Sequence, residues 1–227
     1  MGERCGWAGD DPLYIAYHDT EWGVPVRDPK ALYAKLVLDG FQAGLAWITI
    51  LRKREGFYRA FEGLDPDRIA TWGEDEVLRC LADPGIVRHR GKIEAAIGNA
   101  RAWQRIETDR GFSDFLWDFV DGEPLQPSRA SLADVPASTE VSEALSKALK
   151  KAGFRFCGPT IVYAVMQAVG MVNDHVTTCP QYDVLAGTAN RPVPGAVPEP
   201  AVDKLGRRNH PHSLLEPSPP SGQPSSE

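Results

Sequence analysis

The sequence predicts an all-α fold, and three observations support this prediction. Apolar residues recur at helical spacing along most of the first 182 residues. Asp-Pro and Gly-Pro pairs stand where such segments begin, and glycines stand where they end. No segment shows sustained alternation of apolar and polar residues, and no Asn-Gly or Asp-Gly pair joins two β-rich runs.

The first predicted helices lie in the N-terminal half. An Asp-Pro pair at residues 28–29 starts the segment ALYAKLVLDGFQAGLAWITILRKR, which we predict to hold two helices broken near Gly40 or Gly44. The Asp-Pro pair at residues 65–66 is the same start signal. Residues 92–106 and the segment FSDFLWDFV also have apolar residues about 3.6 positions apart.

The next predicted element is a pair of helices joined by a short turn, a helix-hairpin-helix at about residues 142–170. The Ser-Thr pair at residues 138–139 caps its first helix, and Gly153 ends that helix. Gly158, followed by proline, starts the second helix, TIVYAVMQAV, which ends at Gly170.

This hairpin is a candidate DNA-binding element. Its turn can present backbone N–H groups at a helix N-terminus, where they attract a phosphate. Residues 144–173 contain no Asp or Glu, although the whole chain has a net charge of -6. The candidate DNA-binding residues are Lys150, Lys151, Gly153, Arg155 and Gly158. An ordinary helical hairpin has the same pattern, so the segment alone leaves both interpretations open.

The composition indicates the cellular compartment of the protein and the extent of its folded domain. No apolar run reaches the roughly 18 residues of a membrane span, and the N-terminus lacks a secretory signal pattern, which favours the cytoplasm. After Tyr182 there is no aromatic residue, and Pro, Gly and Ser dominate. We therefore predict one domain over residues 1–185 and a disordered tail over residues 186–227.

Two Cys-His pairs, one near each end of the predicted domain, are candidate metal ligands. They are Cys5, His18, His175 and Cys179. Two residues four positions apart on a helical turn, such as His175 and Cys179, can reach one ion. Four protein ligands would fill a tetrahedral zinc site, which is then structural. The alternative is that the cysteines are buried core residues and the histidines are unrelated to them, because the spacing of Cys5 and His18 is loose. The other two cysteines, Cys80 and Cys157, are predicted to be core thiols.

The N-terminal third is rich in aromatic residues. They are Trp7, Tyr14, Tyr17, Trp22, Phe41 and Trp47. An enzyme that acts on a nucleobase rotates it out of the duplex and stacks it on aromatic rings, which also attract a cationic base. A carboxylate such as Asp39 can accept a hydrogen bond from the amino group of such a base. Core packing is the alternative, and we prefer it for Phe41.

Four long stretches carry a resemblance to a known family. They are RCGWAGDDPLYIAYHDTEWGVP, LVLDGFQAGLAWITILRKRE, GIVRHRGKIEAAIGNARAW and LSKALKKAGFRFCGPTIVYAVMQAVGMVNDHVTTC. Over nearly all of residues 3–180 the chain resembles the Tag family, 3-methyladenine DNA glycosylase I. This resemblance implies an all-α helix-hairpin-helix glycosylase fold with one structural zinc ion joining the N- and C-terminal segments.

The resemblance also implies a site, a substrate and a partner. The family's zinc ligands fall on Cys5, His18, His175 and Cys179, and its base pocket falls on Trp7, Tyr14, Tyr17, Trp22, Asp39 and Trp47. Position 39 departs from the family pattern, which has Glu there, so its carboxylate reaches one methylene less far. The implied partner is double-stranded DNA with alkylated bases, and the implied product is free 3-methyladenine. We expect the protein to be a monomer in the cytoplasm of a bacterium and to be associated with the nucleoid when it is bound to DNA.

The expected chemistry is simple hydrolysis. The methylated base is cationic in DNA and leaves as a neutral species, so it needs little acid–base help, and Asp39 is the candidate catalytic residue. No nucleophilic lysine is evident, which predicts an enzyme without lyase activity. The superfamily's usual Asp after the hairpin is replaced by Asn173, and we expect its neighbour Asp174 to orient His175.

Three rival functions remain open from the sequence. The first is a non-catalytic, zinc-stabilised helix-hairpin-helix protein that only binds DNA. The second is a zinc hydrolase, which would require an open coordination position and a nearby carboxylate base. The third is a purely structural helical protein, which the combined motifs disfavour.

Overall fold

A computed structural model of the chain describes residues 3–187. Within this range extended pairing is limited to two isolated bridges, between Leu125 and Val172 and between Arg129 and Val176. The all-α prediction is therefore confirmed for these residues. None of their helices is long and apolar enough to span a membrane. The predicted tail lies outside the described residues, apart from its first two positions.

Ten α-helices make up the described part of the chain. They are α1 (Pro12–Thr20), α2 (Pro29–Gln42), α3 (Trp47–Ala60), α4 (Pro66–Ile69), α5 (Glu74–Ala82), α6 (Arg90–Asp109), α7 (Phe112–Trp117), α8 (Glu140–Ala152), α9 (Pro159–Ala168) and α10 (Pro180–Ala186). Short 3₁₀ turns lie at Gly6–Ala8, Glu62–Leu64, Asp118–Val120 and Leu132–Asp134.

The Asp-Pro start signals act as predicted at α2 and α4. At α2, one oxygen of Asp28 accepts a hydrogen bond of 2.7 Å from the backbone N–H of Ala31. Asp11 caps α1 in the same way, a helix that was not predicted from the sequence. The break between α2 and α3 falls at Gly44, which has a φ of +82°, whereas Gly40 lies inside α2.

Helices α8 and α9 form the predicted hairpin. Thr139 caps α8, and Gly153, with a φ of +105°, ends it. The side chain of Asn99 on α6 holds the hairpin turn by two hydrogen bonds, one of 2.8 Å from the backbone N–H of Arg155 and one of 3.1 Å to its carbonyl. The turn is therefore fixed to the body of the protein.

Helix α2 lies at the centre of the core and packs against α3, α6 and α9. Its residues Leu32 and Tyr33 are fully buried, and the Tyr33 hydroxyl donates a hydrogen bond of 2.9 Å to the Ala96 carbonyl. Phe41, Cys80 and Cys157 are buried too, as predicted for core residues. Because α2 is so enclosed, the polar side chains on its inner face have fixed positions.

Gly170 lies where the chain leaves α9 and passes the loop before α2. Its φ is +71°, and a Cβ atom there would lie 2.5 Å from the backbone nitrogen of Pro25 and 2.6 Å from the carbonyl oxygen of Gly23. Both contacts involve backbone atoms, which cannot move aside as a flexible side chain can. The position therefore requires glycine for its conformation and for its space.

Replacing Gly170 with alanine is expected to lower the free energy of unfolding by roughly 2–4 kcal/mol, from backbone strain plus overpacking. Urea denaturation of the variant measures this loss. The matched control is Gly98→Ala inside α6, where an added Cβ has no neighbour within 4 Å. That control should gain up to about 1 kcal/mol from helix propensity. Equal stability of Gly170→Ala and the parent would contradict the packing described.

Candidate functional site

A cavity of about 340 Å³ opens between α1, α2, the start of α3, α9 and the loop before α8. Its size is typical of a small-molecule site. The structure brings all six sequence-predicted pocket residues to its wall: Trp7, Tyr14, Tyr17, Trp22, Asp39 and Trp47. Residues that are distant in the sequence thus share one recess.

Aromatic rings form most of one side of the cavity. Tyr14 and Tyr17 lie three positions apart on α1 and point to the same side. The ring centre of Trp7 lies 5.0 Å from that of Tyr14 and 4.9 Å from that of Trp22. Tyr17 and Trp47 are 5.4 Å apart. Such a wall offers flat apolar faces to a planar ligand.

Two buried polar atoms at this wall have no hydrogen-bond partner among the described residues. They are Oδ2 of Asp39 and Nε1 of Trp47, whose residues are 2% and 8% exposed. An unsatisfied buried polar group such as Nε1 of Trp47 costs about 1–3 kcal/mol, so it usually marks a place where a ligand or ordered water binds. Oδ2 of Asp39, by contrast, is held by an ion pair with Lys35. The cavity therefore suits a planar molecule that carries both a donor and an acceptor.

Lys35 lies beside these atoms and was missed by the sequence analysis. Its Nζ atom is 2.8 Å from Oδ2 of Asp39, an ion pair without hydrogen-bond alignment, and 3.5 Å from the ring centre of Trp47. Burial raises the pKa of Asp39, with Lys35 opposing that shift, and burial lowers the pKa of Lys35. The pair stands four positions apart on α2, a spacing from which the contact is predictable.

Asp174 does not orient His175, so that prediction was wrong. Its buried carboxylate lines the cavity and accepts hydrogen bonds from Nε of Arg129 at 3.1 Å, from Nε2 of Gln167 at 2.9 Å and from the Tyr163 hydroxyl. The imidazole of His175, by contrast, contacts the sulfur atoms of Cys5 and Cys179. Asp174 therefore faces the cavity while His175 faces away from it.

Asn173 does not line the cavity. Its side-chain amide donates hydrogen bonds to Oε1 of Gln126 at 3.0 Å and to the carbonyl of Tyr182 at 3.1 Å. These contacts join the loop before α8 to the start of α10. The carboxylate next to the hairpin that reaches the cavity is thus that of Asp174.

The four predicted metal ligands form one buried cluster. Their ligand atoms all lie within 4.8 Å of one another. Sγ of Cys5 is 3.5 Å from Nδ1 of His175, and Sγ of Cys179 is 3.6 Å from the same atom and 3.7 Å from Nε2 of His18. Zinc–sulfur and zinc–nitrogen bonds of about 2.3 and 2.0 Å at tetrahedral angles place such atoms ~3.5 Å apart. The donor set and its spacing therefore fit zinc.

Outer contacts orient both imidazoles of the cluster. Nδ1 of His18 lies 2.7 Å from Oδ1 of Asp19, and Nε2 of His175 lies 3.2 Å from the carbonyl oxygen of Trp22. The remaining ring nitrogens, Nε2 of His18 and Nδ1 of His175, face the cluster. Hydrogen bonds from Arg4 and then from His18 lower the pKa of Asp19 to about 2. Partners of this kind fix the ring orientation of metal-binding histidines.

His175 and Cys179 are not on a helix, so the reason given for their proximity was wrong. They lie in a turn, where the backbone N–H of Cys179 donates a 2.8 Å hydrogen bond to the Val176 carbonyl, and α10 begins only after Cys179. Burial lowers the pKa of His175 to about 4 and raises that of Cys5 to about 12. The histidine is therefore neutral, as a metal ligand must be, and a bound cation would favour the thiolate.

The cluster and the cavity share aromatic side chains. The ring centre of Trp7 is 5.1 Å from that of His18, and the ring centre of Trp22 is 4.5 Å from that of His175. Both tryptophans also line the cavity. The geometry of the cluster thus sets the position of two walls of the pocket.

The predicted DNA-binding residues lie at the end of α8, in the hairpin turn and at the start of α9. Lys150, Lys151 and Arg155 are exposed, and Gly153 ends α8 beside them. Gly158 is the N-terminal cap residue of α9, and an added Cβ there would have no neighbour within 4 Å. The turn is therefore open to a bulky anion.

One known family matches most of the part of the chain that the structure describes. The sequence profile of the family described as methyladenine glycosylase matches residues 7–182. The chain belongs to this family. The resemblance to the Tag family drawn from the sequence is thereby confirmed.

Relatives within the methyladenine glycosylase family are similar over nearly their whole length. The chain is 54% identical over 178 residues to DNA-3-methyladenine glycosylase 1 of Escherichia coli (strain K12), covering 78% of this chain and 95% of the relative. It is 48% identical over 181 residues to DNA-3-methyladenine glycosylase of Haemophilus influenzae, covering 79% and 98%. A variant of 3-methyladenine DNA glycosylase I solved in complex with 3-methyladenine has a TM-score of 0.77 at 36% identity, covering 79% and 97%.

Proposed function

We propose that the chain is a DNA glycosylase that hydrolyses the N-glycosidic bond of 3-methyladenine in alkylated DNA. The observation that carries this proposal is the aromatic cavity whose wall holds the buried carboxylate of Asp39 and the unpartnered Nε1 atom of Trp47. Relatives named for this activity are similar over 95% and 98% of their length. A similar structure holds 3-methyladenine itself.

The pocket residues are suited to such a reaction. The methylated base leaves the duplex and stacks on the aromatic wall, and Asp39 accepts a hydrogen bond from its exocyclic amino group. When the C–N bond breaks, its electron pair goes to the purine, which becomes neutral, and positive charge develops on the deoxyribose. Water then adds to the sugar carbon and loses a proton. Stacking and the Asp39 contact act by favouring the departing base.

We propose one structural zinc ion per chain, held by Cys5, His18, His175 and Cys179. The spacing of the four donor atoms and the outer contacts of both histidines support this assignment. The ion would join the N-terminal segment to the C-terminal one and would stabilise the fold. With four protein ligands the site has no position for water, which argues against a zinc hydrolase.

We also propose that the hairpin binds the phosphates of double-stranded DNA. Lys150, Lys151 and Arg155 supply positive charge close in sequence to the half-buried N-terminus of α9. Contacts of this kind position a protein without reading sequence. The proposal assigns Gly153 and Gly158 to the close approach of the backbone. We also propose that the enzyme acts as a monomer, which is supported by one chain carrying the pocket, the cluster and the hairpin. The proposed location is the bacterial cytoplasm, at the nucleoid when the enzyme is on DNA.

Base release from a defined oligonucleotide tests the proposed activity. With a duplex carrying one 3-methyladenine, the protein is expected to release the free base and leave an intact strand that breaks only on alkali treatment. The undamaged duplex of the same sequence is the control. Borohydride added during the reaction should trap no covalent complex, although Lys35 lies in the pocket.

Two outcomes would count against the proposal. Binding without base release would indicate a non-catalytic DNA-binding protein. Strand scission before alkali, together with a trapped complex, would show that an amine attacks the sugar and that lyase activity is present.

A further inference from the structure

Five cationic side chains of residues 3–187 form no ion pair, hydrogen bond or ring contact. They are Arg88, Lys147, Lys150, Lys151 and Arg155, and all are exposed. Every other lysine and arginine of this range contacts a carboxylate or donates a hydrogen bond to a backbone carbonyl. On a chain with a net charge of -6, these five cations remain available to an anionic partner.

Four of the five lie on the hairpin, whereas Arg88 precedes α6. The segment around Arg88 is basic, but its other cations are engaged. Arg90 pairs with Glu74 at 2.9 Å. Lys92 is buried and donates hydrogen bonds of 2.9 and 2.7 Å to two backbone carbonyls at the end of α2. Arg88 is thus the cation of this segment that is left for a partner.

Phe156, in the hairpin turn, connects the segment of Arg88 to the hairpin. Its ring centre lies 6.2 Å from that of His89, which follows Arg88 and is the N-terminal cap residue of α6. Further along α6, Asn99 holds the same turn through the backbone of Arg155. The start of α6 and the hairpin turn therefore form one continuous surface.

Phe156 is an unusual residue for its place on this surface. Its φ is +55°, in the left-handed region, and 37% of the residue is exposed. Glycine adopts this conformation without strain, and phenylalanine does not. Backbone strain of this kind is concentrated at binding and active sites. A large apolar ring held in solvent between unpaired cations matches a partner whose negative charges alternate with apolar groups.

We propose that Arg88 and Phe156 extend the DNA-binding surface beyond the hairpin: Arg88 binds a backbone phosphate, and Phe156 packs against a neighbouring deoxyribose. This inference rests on the proposed binding of DNA by the hairpin and deepens it. The sugar–phosphate backbone presents an anionic group and an apolar ring in each nucleotide. Contacts to both position a protein on DNA without reading its sequence.

This surface has a fixed position relative to the pocket. The hydrogen bonds from Lys92 end on the carbonyls of Phe41 and Ala43, where the turn between α2 and α3 begins. Trp47, the first residue of α3, lines the cavity. A strand bound at Arg88 is therefore held at a constant distance from the recess that receives the base.

The salt dependence of binding to an undamaged duplex tests the phosphate contact. Each phosphate contact releases counterions, so its loss lowers the slope of log Kd against log salt concentration by about 1. Arg88→Gln should show this lower slope and bind at least about fivefold more weakly at ~0.1 M salt. The control Arg110→Gln removes the same charge beyond the other end of α6, where Arg110 pairs with Asp118. It should keep the parent slope.

The contact of Phe156 predicts a different signature. Phe156→Asn should weaken binding of the same duplex by at least about threefold through loss of apolar contact area. Its salt slope should equal that of the parent, because an apolar contact releases no counterions. Asparagine tolerates the left-handed conformation, so the turn keeps its shape. Both variants should bind free 3-methyladenine as the parent does, since Arg88 and Phe156 are not among the residues that line the cavity.

The outcomes separate this inference from the proposed function. Parent affinity and parent slope in Arg88→Gln, or parent affinity in Phe156→Asn, would overturn the contact of that residue while base release by the parent persists. A parent chain that binds the duplex but releases no 3-methyladenine would overturn the glycosylase function. The binding measurements on undamaged duplex would then still decide whether this surface holds DNA.

Discussion

The substitution Asp39→Asn is expected to slow the release of 3-methyladenine by about 10–100-fold. A hydrogen bond that involves a charged group contributes about 1.5–3 kcal/mol, which corresponds to this range. The amide that replaces the carboxylate can present its NH₂ group toward the base, and it cannot attract the amino group as a carboxylate does. Single-turnover release of base from the damaged duplex measures the effect.

Stability will fall as well, because Asp39→Asn leaves the Lys35 ammonium without its 2.8 Å partner. We expect a loss of about 1–3 kcal/mol, since the Lys35 side chain keeps 15% exposure. The double variant Lys35→Met/Asp39→Asn separates the two effects, because exchange of both charges for neutral groups is often harmless to stability. It should regain stability without regaining the parent rate. Asp39→Asn that releases base at the full parent rate would show that Asp39 does not act on the base.

Replacing Cys179 with serine is expected to remove the metal and to lower the free energy of unfolding by at least about 4 kcal/mol. Zinc bound by four protein ligands contributes its binding energy to folding, and the unfolded chain has no preformed site. For a domain of this size the loss corresponds to a fall in Tm of roughly 10 °C or more. Metal analysis of the purified protein and thermal unfolding with and without a chelator measure both effects.

Cys80→Ser is the matched control for that variant. Cys80 is as fully buried as Cys179, but its Sγ lies 3.8 Å from the Ala60 carbonyl, away from the cluster. The control should retain one zinc ion per chain and lose little stability, because a serine hydroxyl can donate to the same carbonyl. A parent protein that is free of metal and has the same Tm in the presence of chelator would contradict the zinc assignment.

The sequence was sufficient for most of the helical framework. Asp-Pro pairs and glycines at helix ends are local signals, so α2, α8 and α9 begin or end at the residues they mark. Asp11-Pro12 carries the same signal, and α1 could have been predicted from it. Helices α5 and α10 were missed as well. Both are short, with nine and seven residues, which gives little periodicity to detect.

The site was less accessible to sequence reasoning, because its geometry depends on tertiary contacts. The six pocket residues were chosen by type and by resemblance, and only the fold brings Trp7 to Trp22 and Tyr17 to Trp47. The Lys35–Asp39 pair follows from helical spacing, but its position over Trp47 does not. No periodicity rule indicated that Asp174 and His175 would face opposite sides.

The placement of Asp174 and His175 in two different sites limits how the sequence can vary here. Between the bridges at Val172 and Val176, two adjacent residues serve two different sites: Asp174 lines the cavity, and His175 belongs to the Cys/His cluster. Loss or gain of a single residue in this run would move His175 away from the sulfur atoms and Asp174 away from the recess at the same time. Point substitutions can therefore change the chemistry of this short run during evolution. Its length, however, is constrained by the cavity and by the Cys/His cluster together.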